Sequence, residues 1–390
     1  MESTTPLSPT PQLFSLNTLF SYLTRLSDTR KARGQRYRLE VILGLFILAK
    51  LCGQNKPYGI ADWLHQRSTA LVAMLPLPRK KLPHHSTYRR ILREVVEGEE
   101  LEGLVAEYLA QYAPQGQEVG LAFDGKTVRG TITLDDPFGL HLLAAYLPGE
   151  GLVLLQMVVE KDKENASVVA PKLRKSLDLR GKVVVGAALH TQRTLSVEIV
   201  QAGGHFVWIV KDNQPNTRQA LAQLLAPPPP PLPGQGQPSL DFQTAKTVDK
   251  QAGRLEERTL TVSSLLNDYL DWPHLGQVFK LERRVTQLAT GKSTCEVQYR
   301  LTDLPPAQAS PLRLWEVVRS GGGIENGLHY RRDVTLHEDQ TRFTKDSAAH
   351  IMSIINNIVL ALITKTGYAF VPSARRYFAA NLEEAFKLLV

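Results

Sequence analysis

The amino-acid sequence predicts an α/β protein: a mixed sheet with flanking helices, a small β subdomain inserted into it, and an all-helical domain ahead of it. Three features predict this. Apolar residues recur at helical spacing from Leu13 to about Ala113, and strands are hard to find there. From Glu118 short apolar runs alternate with amphipathic segments. A proline-rich stretch then precedes segments that alternate like strands of an antiparallel sheet, and helical periodicity returns after Arg313.

Taken in order, residues 1–12 are rich in Ser, Thr and Pro and read as a disordered tail. "RLEVILGLFILAKLCG" predicts a buried helix stopped by Gly53, and "GIADWLHQRSTALVAML" an amphipathic one. "HHSTYRRILREVVEGEELEGLVAEYLAQY" continues the pattern, with Ser86 or Thr87 as N-cap. Beyond Glu118, "VGLAFDGK" predicts a strand ending in Asp124, followed by strands at "GLHLLAAYL" and "GLVLLQMVVEK". A helix at "NASVVAPKLRKSLD", a strand at "KVVVGAAL", a helix at "TQRTLSVEIVQAG" and a strand at "HFVWIVKD" complete the order βββαβαβ. That is the order of an RNase H-like fold, and parallel strands joined by helices place ligands at their carboxyl ends. "APPPPPLPGQGQP" predicts a stiff exposed loop, either a spacer or a proline-motif ligand.

Composition narrows the function classes. The chain has 390 residues, enough for a large core and two or three folding units. Two cysteines far apart, Cys52 and Cys295, argue against a disulfide framework and a cysteine zinc site, and fit a reducing cytoplasm. The N-terminus has no basic region leading into an apolar run, so no signal peptide is expected. The apolar runs Val41–Leu51 and Ile351–Ile363 are short and interrupted by polar residues, and they read as core helices; no membrane role is expected. There is no Walker A pattern, dinucleotide fingerprint or H-E-x-x-H motif. The 46 Lys and Arg against 38 Asp and Glu favour a polyanionic partner.

The candidate residues follow from the strand ends and the basic clusters. Asp124 ends the first strand in "FDGKTVRG", with Lys126 and Arg129 placed for phosphate contacts. Glu325 lies in "GIENGLHYRRD", where Glu325, Leu328, His329 and Arg332 share one face at helical spacing. A carboxylate with basic residues nearby suits a metal ion beside a nucleic-acid phosphate, or an ordinary surface ion pair. In the helical region, Arg89 and Arg90 belong to "HHSTYRRILRE", which reads as a recognition helix or as a solvated basic face.

The motifs "DGKTVRG", "LDLRGKVVVGAALHTQ", "AGGHFVWIVKDNQP", "GRLEERTLTV" and "GIENGLHYRRDVTLHED" occur in this order, after "LSDTRKARGQRYRLEVILGLFILAKLCG" and "LPLPRKKLPHHSTYRRI". Over Leu13 to Val390 the chain resembles the H-repeat-associated insertion-sequence transposases, bacterial DDE enzymes with an RNase H-like catalytic domain. The resemblance implies that two Asp and one Glu hold two Mg²⁺ ions, one activating water or a 3′-hydroxyl and one stabilising the leaving oxygen. Asp124 matches the first Asp and Glu325 the Glu. The middle Asp falls at Ala187, where the family reads Asp-Ala-Leu-His-Thr-Gln and this chain reads "AALHTQ". Asp178 is about six strand residues, roughly 20 Å, from the ligand edge, which leaves Asp212 as the geometric candidate for a substitute. Two further departures are Gly321 and Gly322, where the family has His-Trp, and Ala252, where it has His.

The expected organisation is a helical DNA-binding domain at 13–113, the first part of the catalytic core at 114–225, the proline loop and β-rich insertion at 226–312, and a C-terminal helical part at 313–390 that carries Glu325. The expected function is a DNA-binding protein of insertion-sequence origin, with Asp124 and Glu325 as metal ligands and a triad incomplete at Ala187. Mg²⁺ binding is weakened; Lys126, Arg129, Lys211, Arg319 and Arg332 line the DNA path. Its partner is double-stranded DNA with transposon-end-like repeats, bound by a homodimer at the nucleoid of a bacterial cytoplasm. A second reading is an active transposase carrying an introduced substitution at Ala187; a third is a repurposed protein-interaction scaffold.

Overall fold

A computed structural model describes residues 16–75, 77, 80–114, 119–159, 177–226, 241–341, 343 and 346–388. The expected helix at 165–178 lies largely outside these residues, and the expected proline loop almost wholly so. Two compact units emerge. The first comprises residues 1–113, 125–161 and 323–390; the second comprises 114–124 and 162–322. The strand β1, Val119–Val128, contributes to both.

In the second unit, β1 lies parallel to β4, Lys182–Gly186, with Val119 opposite Lys182 and Phe123 opposite Gly186. β4 in turn lies parallel to β5, His205–Val210. Strands buried on both faces read as unbroken apolar runs, which is what "VVV" of β4 and "FVWIV" of β5 are. The other edge of β5 is covered by β9, Ser293–Thr302, in antiparallel pairing. Beyond β9 come β8, Gln277–Gln287, β7, Arg254–Ser263, and β6, Gln243–Gln251, all antiparallel. The inserted strands thus continue the main sheet and protect an edge that would otherwise offer free amide and carbonyl groups. Helix α7, Arg193–Gln201, joins β4 to β5, and α8, Pro215–Leu224, follows β5. α9, Pro311–Gly321, starts at the N-cap Ser310, whose hydroxyl accepts from the Arg313 amide. α9 packs Leu314, Val317 and Val318 into a core with Val183, Val185, Val207 and Phe279.

The first unit holds β2, Leu140–Leu147, and β3, Leu152–Val158, an antiparallel pair, with the end of β1 beside β2. The strand order is therefore β3-β2-β1-β4-β5, extended by β9-β8-β7-β6. This is the expected RNase H-like arrangement. β1 does not end at Asp124 as expected; it continues to Val128, because Val128 packs with Leu140 and Leu142 and Thr127 hydrogen-bonds His141.

The helices of this unit begin with α1, Leu16–Leu23, and α2, Leu39–Leu51, the expected buried helix, which ends before Gly53 at φ 98°. The expected amphipathic helix is two, α3, Pro57–Gln66, and α4, Ser68–Met74, separated at Arg67. α5, His85–Arg90, is capped by His84 rather than by Ser86 or Thr87, because the His84 ring accepts the Ser86 amide. A π-helical turn, Ile91–Val95, leads to α6, Gly98–Ala110. Two further π-helical turns, Glu325–His329 and Arg331–Thr335, precede α10, Asp346–Lys365, α11, Val371–Ala380, and α12, Leu382–Lys387. α10 packs against α2, α6 and β3, so the N-terminal helices share a core with the C-terminal ones. Among the described residues, Ser347–Lys365 is long and apolar enough to cross a membrane, yet 89% of its apolar window is buried. Asn356 and Asn357 on it donate to Glu338 and Gln156, as expected of a core helix.

Candidate active site

In the second unit the register sets two positions side by side. Phe123 pairs with Gly186, so Asp124, within β1, and Ala187, just past the end of β4, are the next residues on two neighbouring parallel strands. Both are half-buried. Ala187 is followed by a tight turn, Ala188–His190. Asn213 donates to the Ala188 carbonyl at 2.6 Å and Gln214 to the Thr191 carbonyl at 3.1 Å, while the Thr191 hydroxyl donates to the Ile209 carbonyl at 2.6 Å. The turn is thus bolted to the end of β5. Gly186 is needed for this close approach: a Cβ there would stand 2.5 Å from the Trp208 ring. The methyl group of Ala187 thus stands at the start of a well-bonded turn.

Asp212, the expected geometric candidate, does not lie on the strand. β5 ends at Val210, and Asp212 lies in the following turn, with its side chain 91% exposed and paired with Arg218 at 3.1 Å. Asp178 precedes β4 and is bound by Arg180, whose guanidinium holds its carboxyl down at about 2. Lys211 and Arg319 are exposed, as a role on DNA requires.

In the first unit, Glu325 and His329 stand four residues apart on one π-helical turn, with a carboxylate oxygen and a ring nitrogen within 4.8 Å of each other. Glu325 is exposed and His329 is buried. His329 as a possible ligand was missed in the sequence; its signal is the E-x-x-x-H spacing.

The basic residues around this turn divide. Arg332 is fully buried, which removes it from the expected DNA path. Its guanidinium donates to Glu338 at 2.8 and 2.9 Å, to Gln156 at 2.9 Å and to Ser353. Lys126 is buried as well and pairs with Asp333 at 2.7 Å and with Glu338 and Asp339 at 3.3 Å. A cation surrounded by three carboxylates is not available to phosphate, so Lys126 leaves the path too. Burial alone would raise the Glu338 carboxyl, but Arg332 and Lys126 hold it down at about 2. Arg129 stays exposed, with its backbone amide tied to Asp339 at 2.9 Å. In the helical region Arg89 and Arg90 are exposed, opposite the buried face formed by Tyr88, Ile91 and Leu92.

The family model described as "Transposase DDE domain" matches residues 115–362. The chain belongs to the DDE transposase family. A second model, "DDE_Tnp_1-associated", matches residues 20–109. Two relatives from Escherichia coli K12 align over most of this DDE transposase: YbfL at 24% identity and "H repeat-associated putative transposase YhhI" at 23%. Each alignment covers 90% of this chain and 91% of the relative. A protein of Xanthobacter autotrophicus encoded in the dhlA 3′ region is 28% identical, over 70% of this chain and 89% of its own length.

Proposed function

We propose that this DDE transposase binds DNA but lacks the middle acid of its catalytic centre, so that cutting is lost or greatly weakened. The observation that carries this reading is the juxtaposition of Asp124 and Ala187 on adjacent parallel strands. On this reading Asp124 keeps the first acid of the family and Glu325 the last, with His329 one turn from Glu325, and carboxylate oxygens are the donors Mg²⁺ prefers. Mg²⁺ ions, when bound as a pair, activate a water or a 3′-hydroxyl and stabilise the leaving oxygen. A methyl group at 187 supplies no donor for the second ion. The substrate class is double-stranded DNA with repeated ends, held by Arg89, Arg90, Arg129, Lys211 and Arg319 at phosphates, and a dimer handles paired ends in the cytoplasm at the nucleoid. Residues 13–113 are its DNA-binding domain.

The test is Mg²⁺-dependent nicking of end DNA by the chain and by Ala187→Asp. No nicking by the unaltered chain and nicking by Ala187→Asp is the expected result, because the turn that would carry the acid is fully bonded. Cleavage by the unaltered chain overturns the reading.

A further inference from the structure

One cleft of the first unit has a composition that its folding role does not explain. It encloses about 810 Å³, within the range of roughly 300–1,000 Å³ usual for ligand pockets. One wall is the π-helical stretch with Asn326, Tyr330, Arg331 and Val334; the other is the start of α11 with Phe370 and Arg376. Phe370 is 72% exposed and Tyr330 54%. Large aromatic surfaces left in water at the mouth of a cleft are costly unless something covers them.

The charge of the cleft selects the cover. Three arginines line it, Arg331, Arg375 and Arg376, and among the described residues no acidic one does. Arg375 is buried and donates to neutral acceptors: the carbonyls of Lys50 and Thr335 and the side chain of Asn55. Next to Arg375, the Lys50 amine is fully buried, and burial pulls its pKa down to about 7, so the charge of the cleft rests on the arginines. The nearby anion Glu338 is already held by Arg332 and Lys126. The three arginines thus meet no carboxylate among the described residues of the lining, and they ask for an anion that also has flat apolar faces.

We propose that the cleft receives unpaired DNA, with bases stacked on Phe370 and Tyr330 and phosphates held by Arg331 and Arg376. A paired base hides its faces within the duplex, whereas an unpaired one offers them to an aromatic ring. The position fits, because Asn326 on the cleft wall is the residue after Glu325, so a strand lying here continues to the acid end of that turn. The inference rests on the proposed DNA-binding role and adds the form of DNA that this face takes.

The experiment measures fluorescence anisotropy of the full chain with a labelled single strand of about 16 nucleotides and with the same sequence as duplex. Phe370→Ala and Tyr330→Ala are each expected to weaken single-strand binding by roughly 5- to 100-fold, with Phe370→Trp retaining it. Duplex binding is expected to stay within about twofold for all three, and both rings are exposed, so their truncation spares the core. Unchanged single-strand affinity in both alanine variants overturns the proposal, as does an equal loss for single strand and duplex, or a loss in Phe370→Trp. An unaltered chain that binds single strand and not duplex sinks the duplex reading and leaves this one standing. A chain that binds neither form sinks both.

Discussion

Arg332 and Glu338 show what a single pair of residues settles. On the sequence, "YRRD" after Glu325 reads as a basic face for DNA. In the fold Arg332 is an internal fastener that joins the π-helical stretch to β3 and α10 through Glu338, Gln156 and Ser353. Removing the acid leaves a buried guanidinium unpaired, so Glu338→Gln is expected to cost about 3–5 kcal/mol at neutral pH. The pH dependence has a definite sign. The folded carboxyl is held at about 2, below an unfolded value near about 4.3, so its stabilisation is present above the unfolded value. It is lost as pH falls through that window towards 2. Thermal denaturation of the chain and of Glu338→Gln is therefore expected to show a difference in Tm that narrows from about pH 4.5 downward. A difference independent of pH would separate the loss from the charge of Glu338.

At the scale of elements, β4 and α9 show why two departures from the family pattern have different weights. α9 lies so close to β4 that a Cβ at Gly321 would stand 2.4 Å from a Val185 methyl. The neighbouring Gly322 has nothing nearer than the Arg319 carbonyl at 3.7 Å. Gly321→Ala is expected to destabilise by about 1–3 kcal/mol through overpacking, whereas Gly322→Ala is expected to be nearly neutral. Chemical denaturation midpoints check this, and equal effects at the two positions would refute the packing argument. The strand and helix themselves were legible, because "KVVVG" is an unbroken apolar run and helical periodicity returns after Arg313, although the helix begins earlier, at Pro311. The break at Arg67 and the His84 cap were not. Each depends on backbone geometry and side-chain bonding that periodicity does not encode.

For the whole molecule, the net charge of +8 favours a polyanion without locating it. Burial sorts the basic residues: Lys126 and Arg332 are internal, whereas Arg89, Arg90, Arg129, Lys211 and Arg319 face solvent. Under the proposed function, duplex binding is expected to weaken steeply with salt. Arg89→Ala and Arg90→Ala should each reduce the slope of log K against log salt by about 0.9, the value for one phosphate contact. Titrations at several salt concentrations measure this, and an unchanged slope in both variants would remove α5 from the DNA interface.

The sequence by itself determined the order of the described strands and the family, because apolar runs and ordered motifs are local signals that survive in one dimension. Only the tertiary structure decided that Asp124 and Ala187 are neighbours on parallel strands, that β6 to β9 extend the main sheet, and that two of the expected DNA-contacting cations are internal. Those facts depend on register and burial, which arise when residues far apart in the chain compete for the same space and the same partners.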